Sequence, residues 1–577
     1  MGKKRRLEME TRQQALSARE SRLKWLLLAV PLAVSLAVYS SSFGNTLLYG
    51  DDENIILRNR YLDGWQYLPD VFRGSLMSGS GAPCNFYRPL QTVLYMLITQ
   101  LFGRGPVWPY HLANTVLHGL AGALLAVMLF MLIKRAAEGG SCAAGAARAA
   151  GAEFPGWHVW LALAGALVWT VHPIHVEEVA QPTGTQSPMH GFFMLGVFVC
   201  LLRALRARKA QGGYGPWLLL MNAALAFGLL SKESAAAAAP VALLLHLAWC
   251  RLGGEKPGDL AKIHAPLWII TGVYVALRLT VLNFGGTLDF YSRGNIFTEN
   301  FSYRFYTLLA ALGEGVRVFF WPSGLHPERS WPVFTDMSAP GVWVSALLLS
   351  ACGIWAALRW RRGAALPGLG LGFFLIAYMP MSNLAAKINY LFCEHWFYIP
   401  SAGLALLVCA IAARSRSASG LTAALLVLAV PLAAAAYARN PNWHDPETYC
   451  RFVLKWEPRS AKTWNNLAMA LDARGDQPGA ADAYNRAISI SDEYPHTHYN
   501  LAQLYRRQGR VKEAVAEYEK ALAMSPGFYY AHMPLAEIYF SAGQPGKTLE
   551  HLLKVKEIYP LYPDIDAVIA RARAQVR

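Results

Sequence analysis

The sequence predicts an all-α membrane protein that ends in a solenoid of short helical repeats. Three observations predict this class. Of the 577 residues, 54% are hydrophobic and only 16% are charged, whereas about 25% of the residues of a soluble domain are charged. Long apolar segments recur through the first three quarters of the chain. After Tyr437 the composition becomes polar, and a repeat with a fixed period begins.

The N-terminal segment, residues 1–24, is rich in Arg and is predicted to lie in the cytoplasm. The apolar run Trp25–Gly44 follows it directly and is long enough to cross a bilayer, which takes about 20 residues. Because this run lacks a small-residue cleavage site, we interpret it as an uncleaved signal anchor.

Eleven apolar segments are long enough to be predicted as spans of a transmembrane domain at 25–445. They are 25–44, 109–133, 157–171, 188–205, 215–230, 235–250, 265–282, 341–358, 366–382, 396–413 and 420–437. Leu90–Gly103 is too short and is expected to lie in the membrane interface. Phe301–Trp321 is interrupted by Arg304, Glu314 and Arg317, so it is not counted as a span.

The distribution of Lys and Arg predicts the topology. With eleven crossings, the basic clusters after the second, fourth, sixth, eighth and tenth spans all fall on the side of the N-terminus, as the positive-inside rule requires. The C-terminus and the loops 45–108 and 283–340 then lie outside. The Ala-rich composition suggests a bacterial inner membrane, with the C-terminal domain in the periplasm. The net charge of +16 is explained by these loops, so no nucleic-acid partner is expected.

The segment 446–577 carries three in-phase units of 34 residues, at about 461–494, 495–528 and 529–562. Their Leu, Ala and Tyr positions follow the tetratricopeptide (TPR) pattern, which folds as pairs of antiparallel helices. Residues 563–577 are predicted to form the capping helix that such an array needs.

Acidic residues directly follow the first span and could supply a general base. Asp51, Asp52 and Glu53 are adjacent, and mutual repulsion together with burial would raise a carboxyl pKa towards neutrality. A solvated acidic turn is the alternative interpretation.

Four further polar clusters fall on the same predicted side as this acidic turn, and they define the remaining candidate site residues. These residues are Arg88 and His111, His172, His175 and Glu177, Lys232, and Glu394 and His395. Arg317 is a further cation in the second outer loop. His111, Asn114 and His118 share one helix face by their spacing. Polar side chains in spanning helices normally face the protein interior and are functional candidates.

No metal site is indicated by this sequence. The eight Cys residues form no CxxC pair, and the His and Glu residues at 172–178 do not have the HExxH spacing of zinc enzymes. The cofactor is therefore unknown, and a divalent metal is left open. A cationic cavity with one carboxylate suits a donor that has a lipid tail and a phosphate head.

These motifs, in this order, resemble the transmembrane O-mannosyltransferases that carry TPR repeats, and their bacterial relatives. The resemblance rests on seven segments: Asp51-Asp52, Tyr87-Arg88-Pro89-Leu90, His111 to His118, His172 to Glu177, Lys232-Glu233, Glu394 to Ser401 and Asn442 to Asp445. It implies a GT-C type glycosyltransferase that uses a polyprenyl-phosphate-linked sugar, with the acidic pair as base. Two positions depart from the family pattern. His395 replaces an Arg, and Thr183 to Ser187 replaces a basic stretch, so the sugar or the acceptor could differ.

We interpret the chain as an enzyme in which Asp52, or its neighbour Asp51, deprotonates a Ser or Thr hydroxyl of an acceptor protein held by the TPR groove. The cations named above would stabilise the departing phosphate. The alternative is a non-catalytic membrane scaffold whose repeats recruit an envelope partner. A lipid-linked sugar transporter is disfavoured, because the repeated halves and broken helices typical of transporters are not evident.

Overall fold

The computed structural model describes residues 23–82, 84–139, 156–284, 296–388, 390–559, 562 and 564–574. Within these ranges every regular element is a helix, which confirms the predicted all-α class. The chain divides into two compact units, Met1–His444 and Asp445–Arg577. Most of the predicted cytoplasmic segment 1–24 and part of the predicted outer loop 283–340 lie outside the described residues.

Sixteen α-helices are described in the first unit. They are α1 Leu26–Tyr39, α2 Leu68–Arg73, α3 Pro89–Phe102, α4 Trp108–Glu138, α5 Trp157–Thr170, α6 Val176–Ala180, α7 Gln186–Lys209, α8 Gly215–Ser231, α9 Ala238–Leu252, α10 Leu260–Leu279, α11 Ile296–Glu299, α12 Phe301–Phe320, α13 Pro340–Arg361, α14 Ala365–Tyr378, α15 Pro400–Ala412 and α16 Ala418–Arg439. Short 3-10 turns link several of them at the site described below.

Seven helical segments of the described chain are long and apolar enough to cross a membrane, so the chain is an integral membrane protein. They contain α1, α4, α7, α9, α10, α13 and α16 and match seven of the predicted spans. The predicted span 157–171 passes the same test only together with the segment after it, at a bend of 46°. The other three, α8, α14 and α15, are shorter apolar helices, so the total of eleven crossings stays a prediction.

The helices α4 and α7 form the interior of the first unit. In the most apolar 18-residue stretch of each of these two segments, 72% is buried. The corresponding share is 17% in α13 and 22% in the segment that contains α16. The helix α4 packs against α1, α5 and α7. Its first turns bury three polar side chains, His111, Asn114 and His118, which are fully inaccessible. The predicted shared face of these residues therefore points inward.

The second unit is an array of antiparallel helix pairs. Its helices are α17 Pro446–Trp456, α18 Ala461–Ala473, α19 Gln477–Ile490, α20 Pro495–Arg507, α21 Val511–Met524, α22 Tyr529–Ser541, α23 Pro545–Ile558 and α24 Ile565–Ala574. The first helices of the pairs begin at 461, 495 and 529, where the period places them. The turn within each pair contains a glycine at positive φ, namely Gly475, Gly509 and Gly543 at +87°, +75° and +66°. Other residues adopt this left-handed conformation at a cost.

Candidate active site

The two candidate bases lie in opposite environments. Asp52 is completely buried, whereas Asp51 is exposed. Asp52 Oδ2 accepts a hydrogen bond of 2.7 Å from the backbone N–H of Leu48, and its Oδ1 accepts one from the hydroxyl of Thr183. Burial raises the pKa of Asp52 to about 6, although both hydrogen bonds favour the charged form. Asp52 is therefore ionised at neutral pH and still basic enough to take a proton.

The loop that presents Asp52 is tied to the end of α16. Asn440 donates to the carbonyl of Val38 at the end of α1, over 2.8 Å, and to Ser41 Oγ, over 2.9 Å. The backbone N–H of Thr46 donates to the carbonyl of His444 over 2.7 Å. These hydrogen bonds hold the segment between α1 and Asp52 in place. The segment 440–444 therefore has a structural role at the site.

The bend between α5 and α7 brings the next side chains to Asp52. Gly184 lies so close to α6 that an added Cβ would stand 2.2 Å from the Glu178 carbonyl oxygen, so only glycine fits there. Gln91 of α3 donates to the carbonyl of Thr183 over 3.0 Å and to Gln186 Oε1 over 3.2 Å. Gln186 in turn donates to Glu178 Oε2 over 3.2 Å. A row of hydrogen bonds thus runs from Asp52 to Glu178.

Lys232 lies at the end of that row. Its ammonium group is 3.7 Å from Glu178 Oε1 and donates to Ser187 Oγ over 2.7 Å. Burial lowers the pKa of Lys232, and the Glu178 carboxylate partly offsets this effect. The ion pair is long for a charge-assisted contact, which is normally 2.7–2.9 Å.

Arg88 forms a second long ion pair. Its guanidinium is 3.4 Å from Glu233 Oε2, while Glu233 Oε1 accepts the backbone N–H of Tyr87 over 3.1 Å. Arg88 also lies 4.3 Å from the centre of the Phe86 ring. Glu233 follows Lys232 directly, so Arg88 and Lys232 belong to one cationic row.

His395 pairs with Glu177 at a distance of 3.0 Å between Nδ1 and Oε1. Burial lowers the pKa of His395, but the Glu177 and Glu178 carboxylates outweigh it and hold the pKa above its usual value. The second oxygen of Glu177 is buried and has no hydrogen-bond partner in the described chain. Because this oxygen is buried, a substrate donor reaches it only after a local movement of the site.

Glu394 is almost completely buried between two arginines. Its oxygens lie 3.7 Å from Arg329 and 3.4 Å from Arg439, and the backbone N–H of His326 donates to it over 2.5 Å. Burial raises the pKa of Glu394 to about 7 in spite of the Arg439 charge. Arg439 also donates to the carbonyl of Pro173 over 2.6 Å, which ties this cluster to the bend after α5.

Four of the sequence-predicted residues do not join the row of charges. His111 Nε2 lies within hydrogen-bond distance of the backbone carbonyl of Asn45, at 3.3 Å, and His172 Nε2 of that of Phe319, at 2.9 Å. His175 is buried among aromatic rings, and neither ring nitrogen has a hydrogen-bond partner in the described chain. Arg317 is 41% exposed and is paired with Glu314.

Sequence reasoning missed three side chains at the site. Thr183 was noted only as a departure from a pattern, and Arg329 and Arg439 were not singled out. Arg439 directly precedes the Asn-Pro-Asn-Trp segment, which was a usable signal. Arg329 had none, because its partners Glu314 and Glu394 are distant in sequence. Among the residues that the structure describes, no group of three or more His, Cys, Asp or Glu side chains could hold a metal ion.

Comparisons with known proteins support both parts of the sequence interpretation. A family model described as Tetratricopeptide repeat matches residues 495–528, and one described as TPR repeat matches residues 468–509. The prediction that the chain carries TPR repeats is therefore confirmed within residues 468–528. A solved structure of the APC/C hetero-tetramer Cut9-Hcn1 aligns with 13% identity over 72% of this chain and 83% of that chain, but the TM-score of 0.24 is too low to assign a fold.

Curated relatives confirm the resemblance to the TPR-carrying O-mannosyltransferases. Protein O-mannosyl-transferase TMTC4 of Mus musculus is 25% identical over 78% of this chain and 64% of its own length. Protein O-mannosyl-transferase tmtc2 of Xenopus laevis is 23% identical over 79% of this chain and 61% of its own length. TMTC3 of Mus musculus is 23% identical over 82% of this chain and 52% of its own length. The chain thus spans about half to two thirds of these relatives.

Proposed function

We propose that the chain is a GT-C type glycosyltransferase of the membrane that moves a sugar from a polyprenyl-phosphate donor to a Ser or Thr hydroxyl of a protein. The single observation that carries this proposal is the buried Asp52, whose pKa is about 6 and which is joined by a row of hydrogen bonds to Glu178, the ion-pair partner of Lys232. The relatives are named for mannosyl transfer, so mannose is the first sugar to test. The site is proposed to face the extracytoplasmic side of a bacterial inner membrane.

In the proposed reaction the acceptor oxygen attacks the anomeric carbon while its proton passes to Asp52. The bond from the anomeric carbon to the phosphate oxygen breaks, and polyprenyl phosphate leaves with the electron pair. The anionic leaving group needs cationic stabilisation more than a general acid. Arg88 and Lys232 are suited to this role, since their ion pairs of 3.4 Å and 3.7 Å are loose enough to yield to a phosphate.

Access to Asp52 requires a local movement. The side chain is completely buried, so an acceptor hydroxyl reaches it only when the 181–187 segment or the turn at Asp51 shifts. Catalytic hydrogen bonds often form only once substrate is bound. Each carboxylate oxygen has two lone pairs, so Asp52 can keep its bond from Thr183 while it accepts the substrate proton.

Substitution of the two aspartates tests the mechanism. A general base contributes about 10²–10⁴-fold in rate, so Asp52→Asn should lower the rate of sugar transfer by that order and spare donor binding. Asp51→Asn is the matched control, because it removes an adjacent exposed charge and should cost far less. Transfer is measured with purified protein, a polyprenyl-phosphate sugar and an acceptor peptide.

Two outcomes would contradict this assignment. If both variants keep wild-type transfer, the base is elsewhere, and Glu177, with its unpartnered oxygen, is the next residue to test. If the wild type itself transfers no sugar while it retains an envelope protein through its repeats, the non-catalytic scaffold is favoured instead.

The TPR unit is proposed to bind the acceptor protein, because such arrays present a concave surface suited to peptides. Deletion of 461–577 should then abolish glycosylation of the protein acceptor while binding of the lipid-linked sugar is kept. Donor binding is measured by retention of radiolabelled lipid on the purified variant. Loss of both activities together would show that the repeats support the membrane unit structurally.

A further inference from the structure

A groove between α1, α4 and α7 combines basic and apolar side chains at the end of the first unit remote from Asp52. Its volume is about 460 Å³. The basic residues Lys24, Arg203 and Arg206 line it, and no carboxylate among the described residues does. In the described chain neither Arg203 nor Arg206 has a carboxylate within ion-pair distance. A site that concentrates positive charge in this way favours an anionic ligand.

The remaining lining is apolar. Leu28 of α1 and Phe130 and Met131 of α4 contribute to it, and Leu28 is 54% exposed. Trp25, which also lines the groove, is 61% exposed. An aromatic side chain beside cations is typical of the level of lipid head groups. A free inorganic anion would bind the cations but would make no contact with these apolar side chains, whereas the acyl chains of a lipid would cover them.

The groove is separate from the candidate active site. Both lie along α7, whose first residue Gln186 belongs to the row of hydrogen bonds that starts at Asp52, whereas Arg206 lies near its last turn. At 1.5 Å per residue these two positions are about 30 Å apart, which is the thickness of a bilayer's hydrocarbon core. The groove therefore opens at the opposite interface from the site.

We propose that this groove binds an anionic phospholipid, with the phosphate at Arg203 and Arg206 and the acyl chains against Leu28, Phe130 and Met131. Basic pockets between transmembrane helices bind such head groups in other membrane proteins. The N-terminal residues 1–22 of this chain are a poorer occupant, since they contain seven Lys or Arg and three Glu and would be repelled by the groove.

The test is a titration of the purified full-length protein with phosphatidylglycerol, followed by native mass spectrometry. The double substitution Arg203→Gln with Arg206→Gln should weaken phosphatidylglycerol binding about 25-fold, at about fivefold per charge. The matched control is Arg359→Gln with Arg362→Gln, which removes two charges from the end of α13. Each pair includes one arginine beside a tryptophan ring, Arg203 with Trp217 and Arg359 with Trp355.

The expected result is a large loss in the first variant, little change in the control, and weaker binding of phosphatidylcholine with the same acyl chains. Equal losses in both variants would show general surface attraction and overturn the site. No loss in either variant would overturn it as well. If water-soluble glycerol phosphate competes as strongly as the lipid at equal concentration, the groove is an anion site that does not recognise a lipid.

Discussion

Asp51 and Asp52 are neighbours in sequence, yet Asp52 is completely buried and Asp51 is exposed. A pKa near 6 keeps the carboxylate ionised at neutral pH. Below pH 6, protonation of the base should reduce the transfer rate about tenfold per pH unit. The sequence predicted an acidic cluster but could not choose its base, because the choice depends on Leu48 and Thr183, which fold against one carboxylate only.

The hydroxyl of Thr183 is predicted to set the pH dependence of transfer by acting on Asp52. A hydrogen bond to a charged group contributes about 1.5–3 kcal/mol, so Thr183→Val should raise the Asp52 pKa by about 1–2 units. The acidic limb of the pH–rate profile would move to higher pH by that amount. Thr183→Ser keeps the hydroxyl and should restore the wild-type profile.

The control for this prediction is Thr185→Val. Thr185 lies two residues further along and donates to Asn114 Oδ1 and to the carbonyl of Pro182 instead of to Asp52. Thr185 is buried, as Thr183 is, so the Thr185→Val variant measures the effect of losing any hydroxyl in this turn. If both Val variants shift the acidic limb equally, the effect on Asp52 is general loosening of the turn.

At the scale of elements, the sequence predicted best what is local. The TPR helices begin where the 34-residue period places them, because each repeat carries its own apolar pattern and turn glycine. The bend after α5 was not predicted. No pattern in the local sequence marks this bend. It depends on contacts with other parts of the fold, namely the packing of Gly184 against α6 and the hydrogen bond from Gln91 of α3 to the carbonyl of Thr183.

Within the repeats, His498 is predicted to make stability depend on pH. Its ring lies 2.6 Å from Glu517 and 2.7 Å from Asp492, and Lys520 bonds Glu517 on the other side. The hydrogen bond with Glu517 raises the His498 pKa, with Asp492 adding to it, against burial. A raised folded pKa gives stability that is present below the unfolded pKa, about 6.5, and is lost as pH rises through the folded value.

Hydrogen exchange of the full-length protein can measure this. His498→Gln should reduce the protection of peptides from α20 and α21 at pH 6, and the difference from the wild type should shrink at pH 8. His532→Gln is the control, because His532 contacts His551 and a backbone carbonyl and its pKa is lowered. A loss of protection at His498→Gln that is independent of pH would assign the residue a packing role alone.

At the scale of the whole molecule, the sequence was sufficient for the fold class and for the presence of TPR repeats but not for the pairing of charges. Hydropathy and the repeat period are local properties of the sequence, so they predict spans and repeats. The ion pairs at the site join segments that are distant in sequence. Glu394 meets Arg439 across 45 positions, and Glu177 meets His395 across 218. Such pairs depend on how the helices pack, which a single sequence does not specify.

The topology is predicted from the same charges. An odd number of crossings places the TPR unit on the side opposite to the basic loops, so an alkaline phosphatase fused after Arg577 should be active in a bacterial host. The physical reason is that Lys and Arg in short loops resist translocation. A fusion after Arg362, which follows α13, is the internal control and should be inactive, because that residue lies in a basic cluster on the predicted cytoplasmic side. A fluorescent cytoplasmic reporter at each position should give the complementary pattern.

Active phosphatase at Arg362 together with an inactive C-terminal fusion would reverse the orientation. Activity at neither position would show an even number of crossings between Arg362 and the repeats, in which case α14 and α15, the two short apolar helices after Arg362, are the first to be reassigned.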